Sequence, residues 1–165
     1  FHIVVKGVPY GLGSYMSWDS KLNARLGQAI LSINGIKSVS IGDGSNSENK
    51  FGSQLHDEID FDKTFTRLSN NCGGIEGGMS NGQDILLSAT MKPIPTLIKP
   101  LKSVDIKSKE KLLAHKERTD SCSVPAASII AESMVAMVIC DAMLEKFGGD
   151  SIQQLENHIQ SSAKF

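Results

Sequence analysis

The stretch from Asn70 to Pro100, NNCGGIEGGMSNGQDILLSATMKPIPTLIKP, holds most of the residues whose types and spacing suit ligand chemistry. Gly73, Gly74, Gly77 and Gly78 tolerate positive φ and let backbone N–H groups approach a flat or anionic ligand with no Cβ between. Lys92 follows an apolar segment and is trailed by Pro93 and Pro95, which fix the backbone, so its charge is offered from a stiff loop. A second stretch, KERTDSCSVP, puts Arg118 and Asp120 two positions apart, on one side of an extended segment, where a guanidinium and a carboxylate can share one site. Each has a plainer structural reading: a glycine hairpin turn with a proline connection, and a surface ion pair ahead of a helix cap.

Other candidates carry less. In His56-Asp57-Glu58 consecutive side chains diverge on a strand or a helix, so they cannot converge on one metal ion, and a structural or solvated role is expected. Cys72, Cys122 and Cys140 are odd in number and lack metal-ligand spacing, which points to reduced thiols in a cytoplasmic setting and to no metal site. Neither GxGxxG nor GxxxxGK[ST] occurs, so a nucleotide-phosphate enzyme has little support.

The elements that would position these residues follow from periodicity. A strand is expected over 2–6 and a breaker-rich loop over 7–14. A helix capped by Asp19 or Ser20 should carry Leu22, Leu26, Ala29, Ile30 and Ile33 on one face and end at Asn34-Gly35. Strands are expected over 36–41, weakly over 61–68, and over 85–91, with a polar, mobile loop over 42–52. Residues 104–106 and 112–114 read as hairpin arms turning through Lys107-Ser108-Lys109. A helix over 126–147, apolar almost all round, suits an element buried between layers, with Ser123 near its cap and Pro125 in its first turn. Glu132 and Asp141 argue against that helix spanning a membrane. Gly148-Gly149 stops it, and Asp150 caps a last helix within 148–165, a C-terminal helix or tail.

These segments predict one α+β domain over 1–165: an antiparallel sheet packed against helices, forming half of a layered sheet/helix/sheet sandwich. With 165 residues and 40% hydrophobic content the chain can bury a core of its own. A net charge of -1 offers no field for capturing nucleic acid. Phe1-His2-Ile3-Val4-Val5 reads as a strand already under way, so the chain is expected to be a piece of a longer polypeptide.

Four segments, GLGSYMSWDSKLNARLGQAILSINGIKSVSIGDG, NNCGGIEGGMSNGQ, MKPIPTLIKPLKSVDI and ERTDSCSVPAASIIAESMVAM, stand in that order from about Gly7 to Phe147. Together they resemble the C-terminal part of chorismate synthase in its Gram-positive form. The resemblance implies an enzyme of the shikimate pathway, serving aromatic amino acid biosynthesis. It would be a lyase that eliminates phosphate from 5-enolpyruvylshikimate 3-phosphate, and it would need reduced flavin mononucleotide (FMN). It implies cofactor contacts at Asn34, Gly35, Gly77, Lys92, Pro93, Ile94, Pro95, Thr96 and Arg118, with Asp120 passing on a proton beside the flavin and Arg118 neutralising flavin or substrate. It further implies a cytoplasmic homotetramer, NADPH or a separate flavin reductase as reductant, no nucleic-acid or membrane partner, and an N-terminal half carrying two histidines and most of the anion-binding arginines. Two departures stand out: Arg118-Thr119-Asp120-Ser121-Cys122 where the family commonly has RHDPC, and Asn34-Gly35 where it has Asn-Ala. The competing expectation is a non-catalytic α+β module for subunit packing.

Overall fold

The computed structural model describes residues 1–117 and 122–162. Its core is a three-stranded antiparallel sheet in which β7 (Ile85–Met91) runs between β1 (His2–Val5) and β2 (Ile36–Ile41). β7 alternates with period two, burying Ile85, Leu87 and Ala89 on one face. The register sets Val5 opposite Ile85 and Ile3 opposite Leu87 on one flank, and Val39 opposite Ala89 on the other, so one face of the sheet is a continuous apolar surface.

Two helices cover that face. In α1 (Leu22–Leu31) the buried residues are Leu22, Leu26, Ala29 and Ile30, four of the five expected on its face; the helix ends before Ile33, which is half-buried. In α3 (Val124–Phe147) the buried residues are Ala127, Ala131, Val135, Ile139 and Ala142, a line of mostly small side chains that lets the helix lie close to its neighbours. Arg25 of α1 reaches α3 and pairs with Asp141 and with Glu145 at 2.6 Å. α3 is long and apolar enough to cross a membrane by length and composition, yet its inner stripe belongs to this core and Asp141 is tied to α1.

The apolar length of α3 suits an element lying between layers, of which one is present among the described residues. Within the described residues only its inner stripe is covered, and Ile129, Ile130, Met137 and Leu144 are exposed. The α+β class holds: the helices sit on one face of the sheet, and a second sheet does not cover them among the described residues.

Smaller elements hang from this frame. A short α2 (Gly52–Leu55) precedes a hairpin of β3 (Ile59–Asp62) and β4 (Thr64–Arg67). A tight hairpin of β5 (Ile75–Glu76) and β6 (Met79–Ser80) holds the second glycine pair. A third hairpin joins β8 (Lys102–Val104) to β9 (Lys111–Leu113), and α4 (Ile152–Ser161) ends the described chain.

Several local expectations change. Residues 61–68 are not one strand, because Lys63 adopts φ 66° and folds the segment back on itself. The segment 42–52 holds a short turn, where the Asn46 amide donates to Asp43 Oδ1 at 2.7 Å and Lys50 pairs with Asp43. Neither Asp19 nor Ser20 caps α1. Lys21 occupies that position, Asp19 accepts a bond from the Ser17 hydroxyl, and the Leu22 N–H donates to the Gly78 carbonyl at 2.8 Å. A tertiary acceptor has taken the place of a cap. Ser123 stands at the N-cap of α3 without a side-chain cap bond. Ser151, not Asp150, caps α4: its hydroxyl accepts from Gln154 N at 3.3 Å, while Asp150 N donates to Gln154 Oε1 at 2.7 Å.

Candidate cofactor site

The end of β7 is where chain segments distant in sequence leave open space. β7 finishes at Met91, α1 winds out through Ser32 and Ile33 into the Asn34-Gly35 turn, and α3 begins at Val124. Gly35 takes φ 87°, and a Cβ there would stand 3.0 Å from the Met91 methyl, so the turn is free to close on the strand. The Lys92 N–H then donates to the Gly35 carbonyl at 2.8 Å. That bond fixes where the lysine-proline loop leaves the sheet.

Two adjoining cavities flank this junction and share Met91 and Ser123 as walls. One, of about 360 Å³, lies between Lys92, Pro93, Ile94, Thr96 and Leu97 on one side and Cys122, Ser123 and Val124 on the other. The second, of about 400 Å³, is bounded by Ser32, Ile33 and Asn34 and by the first turns of α3, including Ala126, Ala127, Ile130 and Met134. Their walls are mainly apolar, with Lys92 the one cation on the rim among the described residues. The first-turn N–H groups of a helix have no intrahelical partner and carry positive partial charge, and both cavities open on that end of α3. A planar apolar group bearing an anionic tail fits such a lining.

The structure gathers Asn34, Gly35, Lys92, Pro93, Ile94 and Thr96 around this junction; Pro95 belongs to the same loop without lining either cavity. Gly77 lies elsewhere. The Gly78 carbonyl receives the first N–H of α1 while Gly35 follows its last turn, so the two turns stand at opposite ends of a ten-residue helix, about 15 Å at 1.5 Å per residue. Arg118 and Asp120 lie outside the described residues.

The four glycines of the opening stretch divide. Gly73, Gly74 and Gly78 are buried, and each is pressed against backbone: a Cβ on Gly73 would meet Gly42 N at 2.3 Å, on Gly74 the Asp84 carbonyl oxygen at 2.5 Å, and on Gly78 the Ser14 carbonyl oxygen at 2.7 Å. These three pack the chain against itself. Only Gly77 is exposed, with φ 60° and nothing within 4 Å of the place a Cβ would take.

A polar anchor beneath them was not legible in the sequence. Asp57 accepts from the Ser69 hydroxyl at 2.5 Å, from Asn71 N at 2.7 Å and from Cys72 N at 2.9 Å. Burial disfavours its charge, but hydrogen bonds from Cys72, Ser69 and Asn71 outweigh that and hold the carboxyl well below its ordinary 3.8. Burial and the neighbouring Asp57 carboxylate push the Cys72 thiol up to about 11. Arg67 pairs with Glu76 at 2.6 Å, and Glu76 also accepts from the Asn81 amide at 2.8 Å. The structural role expected of Asp57 is thus a specific one, while Met91, Cys122 and Ser123 are cavity walls whose only signal was their adjacency to Lys92 and to the Arg-x-Asp pair. No group of three or more His, Cys, Asp or Glu able to hold a metal occurs among the described residues.

Known proteins resemble this chain in sequence and in fold. The family profile described as chorismate synthase matches residues 1–144. Curated chorismate synthases from Geobacter sulfurreducens, Alkaliphilus metalliredigens and Listeria monocytogenes are 49%, 55% and 52% identical to the chain over 99%, 94% and 96% of its length. The chain spans 44%, 41% and 41% of those proteins, less than half of each. Among solved structures, a crystal structure of chorismate synthase superposes with TM-score 0.75 at 37% identity, over 96% of this chain and 40% of that one.

Proposed function

The chain belongs to the chorismate synthase family, and from that premise we propose that its protein converts 5-enolpyruvylshikimate 3-phosphate to chorismate and phosphate with FMN as a reduced cofactor. The observation that carries this reading is the junction at the end of β7. Six of the nine cofactor positions picked out by resemblance, Asn34, Gly35, Lys92, Pro93, Ile94 and Thr96, converge there around apolar space at the start of α3, while Gly77 stands apart. The fit to a flavin is chemical: apolar walls for the ring system, and a cation with a helix N-terminus for an anionic tail.

The reaction breaks the allylic C–O bond, phosphate leaving with the electron pair, and removes a hydrogen from the same ring as a proton, with no net oxidation. Reduced FMN held between Lys92 and the start of α3 would supply electron density to the ring and a base for its proton. Pro93, Ile94 and Met91 exclude water from that face. Lys92, held through its backbone on Gly35, neutralises the anionic part of the cofactor. Arg118 binds a substrate carboxylate or balances cofactor charge. Asp120 takes the proton onto its carboxylate and hands it to solvent; Cys122, two positions further on, lines the cavity.

The protein is a cytoplasmic enzyme in this reading and works as a homotetramer. Its reductant is NADPH or a separate flavin reductase, which turnover in air with NADPH alone distinguishes. The exposed apolar face of α3 supports a second reading at the level of this chain, a packing module that is inactive alone. The experiment is turnover of 5-enolpyruvylshikimate 3-phosphate by the full-length enzyme with pre-reduced flavin. Asp120→Ala is expected to lower kcat by about 10²–10⁴-fold while leaving flavin affinity intact; normal turnover would remove Asp120 from the mechanism.

A further inference from the structure

Met91 is the last rung of the alternation that buries Ile85, Leu87 and Ala89 on one face of β7, and it falls on that same face. The core stops there: Ala89 is 6% exposed, whereas Met91 is half-buried. Its side chain borders both cavities at the end of the strand, as Ser123 does. Against it lies Gly35, at φ 87°. A Cβ at Gly35 would stand 3.0 Å from the Met91 methyl carbon, inside the separation of about 3.5 Å at which carbon atoms attract best. The glycine leaves a seat, and the methionine fills it.

The two cavities that Met91 parts differ in charge. The one of about 360 Å³ has Lys92 and Thr96 in its wall. The one of about 400 Å³ has no charged side chain among its described lining residues, and Ile33, Ala127, Ile130 and Met134 join Met91 around it. A flavin mononucleotide divides the same way, with a phosphate tail, a polar pyrimidine edge and an apolar dimethylbenzene edge. The phosphate suits the cavity with the lysine, and the dimethyl edge suits the uncharged one, where a polar edge would lose its hydration without recompense. A thioether makes favourable contacts at an aromatic ring and, being unbranched, fits its reach to it.

We infer that Met91, seated by Gly35, is the specificity-determining wall of the flavin site: it meets the dimethylbenzene edge of the ring in the uncharged cavity and limits how large that edge can be. The inference rests on the reading that the protein binds FMN, and goes beyond it in assigning Met91 and in orienting the ring. Lys92 follows Met91 directly, and its N–H donates to the Gly35 carbonyl at 2.8 Å, so wall, seat and cation are joined through one stretch of backbone.

Equilibrium dialysis of the full-length enzyme against FMN, and against its analogue with a dimethylamino group in place of the 8-methyl, tests it. Met91→Ala should narrow the preference for FMN about tenfold, because the lost wall admits the larger group. Gly35→Ala pushes the Met91 methyl off its seat into the cavity and should widen that preference, yet leave it unchanged in the Met91→Ala background. Lys92→Ala should weaken both ligands alike. Met91→Val shortens the same wall with less loss of packing and should narrow the preference by a smaller factor; it carries the test if urea unfolding shows Met91→Ala not to fold. An unchanged preference in the folded Met91 variants would overturn the assignment of Met91, and a Gly35→Ala effect of equal size in the Met91→Ala background would overturn its seat. FMN binding by the parent leaves the cofactor reading standing in both cases. A parent that binds neither flavin would overturn that reading and the wall with it.

Discussion

The two ends of β7 carry turns of similar composition and use them in opposite ways. At its start, Gly42 and Gly73 cross at backbone contact, Gly74 lies on the Asp84 carbonyl, and the Asn70 side chain bridges Asp84 O at 2.9 Å and Gly74 N at 2.8 Å. Polar groups there are largely spent on one another. At its end, one glycine lets a turn close on Met91, and the chain then opens into cavities rimmed by a lysine and the start of a long helix. Glycine content alone does not mark a binding floor. What separates the two cases is whether the backbone it exposes already meets other backbone.

The largest effect that tests this contrast is expected from Gly73→Ala. The added methyl would fall 2.5 Å from the Gly42 Cα, which is backbone and cannot rotate away, at a φ of 65° that already disfavours alanine. A loss of about 3 kcal/mol or more is expected in urea unfolding. Gly77→Ala, with the same handedness of φ and open space around it, should cost only about 1 kcal/mol. Equal losses would mean that φ, and not the crossing, sets the need for glycine.

Next comes Asp57→Asn. The carboxylate accepts three hydrogen bonds, and an amide can replace only part of that set. About 1–3 kcal/mol should be lost at neutral pH. The sign with pH follows from a folded value depressed below the ordinary 3.8: the stabilisation is complete well above about pH 4 and fades as pH falls toward the folded value, so the variant and the parent should converge in acid. A stability gap that stayed constant from pH 7 to pH 3 would assign the loss to packing.

How much of this was legible beforehand depends on range. The stripe on α1 and the strand over 85–91 rest on local signals that run over several residues, and are borne out. The caps of α1 and α4 were misplaced because the choice among Asp19, Ser20, Asp150 and Ser151 is settled by single hydrogen bonds, and for α1 by a carbonyl from Gly78, 56 residues away in the chain. The hairpin at 59–67 was hidden because its turn rests on a lysine in the left-handed region, which carries no turn signature. Within the site, Lys92 and its prolines announced themselves by type. The walls supplied by Met91, Ser123 and Ala127 did not, since each is an ordinary core or cap residue until α1, β7 and α3 are packed together.

At the open end, Lys92→Ala should leave urea stability within about 0.5 kcal/mol of the parent, because the side chain is exposed and its backbone bond to Gly35 survives. In the full-length enzyme, affinity for FMN should fall about tenfold, or roughly 1.4 kcal/mol, with Lys92→Arg recovering part of it. Loss of stability without loss of affinity would move Lys92 from the ligand to the fold, and the two ends of β7 would no longer differ in kind.

The smallest effect is one of chemical protection, and it reads both ends at once. Cys72 sits in the spent network, its thiol pushed up to about 11 by burial and by Asp57, so little thiolate forms near neutrality and alkylation should be slow. Cys122 and Cys140 are exposed; Cys122 lines the cavity beside Lys92, and Cys140 sits on α3 away from it. Iodoacetamide at pH 8 should therefore label Cys122 and Cys140 ahead of Cys72, as peptide mass mapping would record. Adding FMN to the full-length enzyme should slow labelling of Cys122 several-fold and leave Cys140 unchanged. Equal protection of both would point to a global tightening of the protein, whereas protection of Cys122 alone would locate the ligand at the end of β7 where the backbone still has partners to offer.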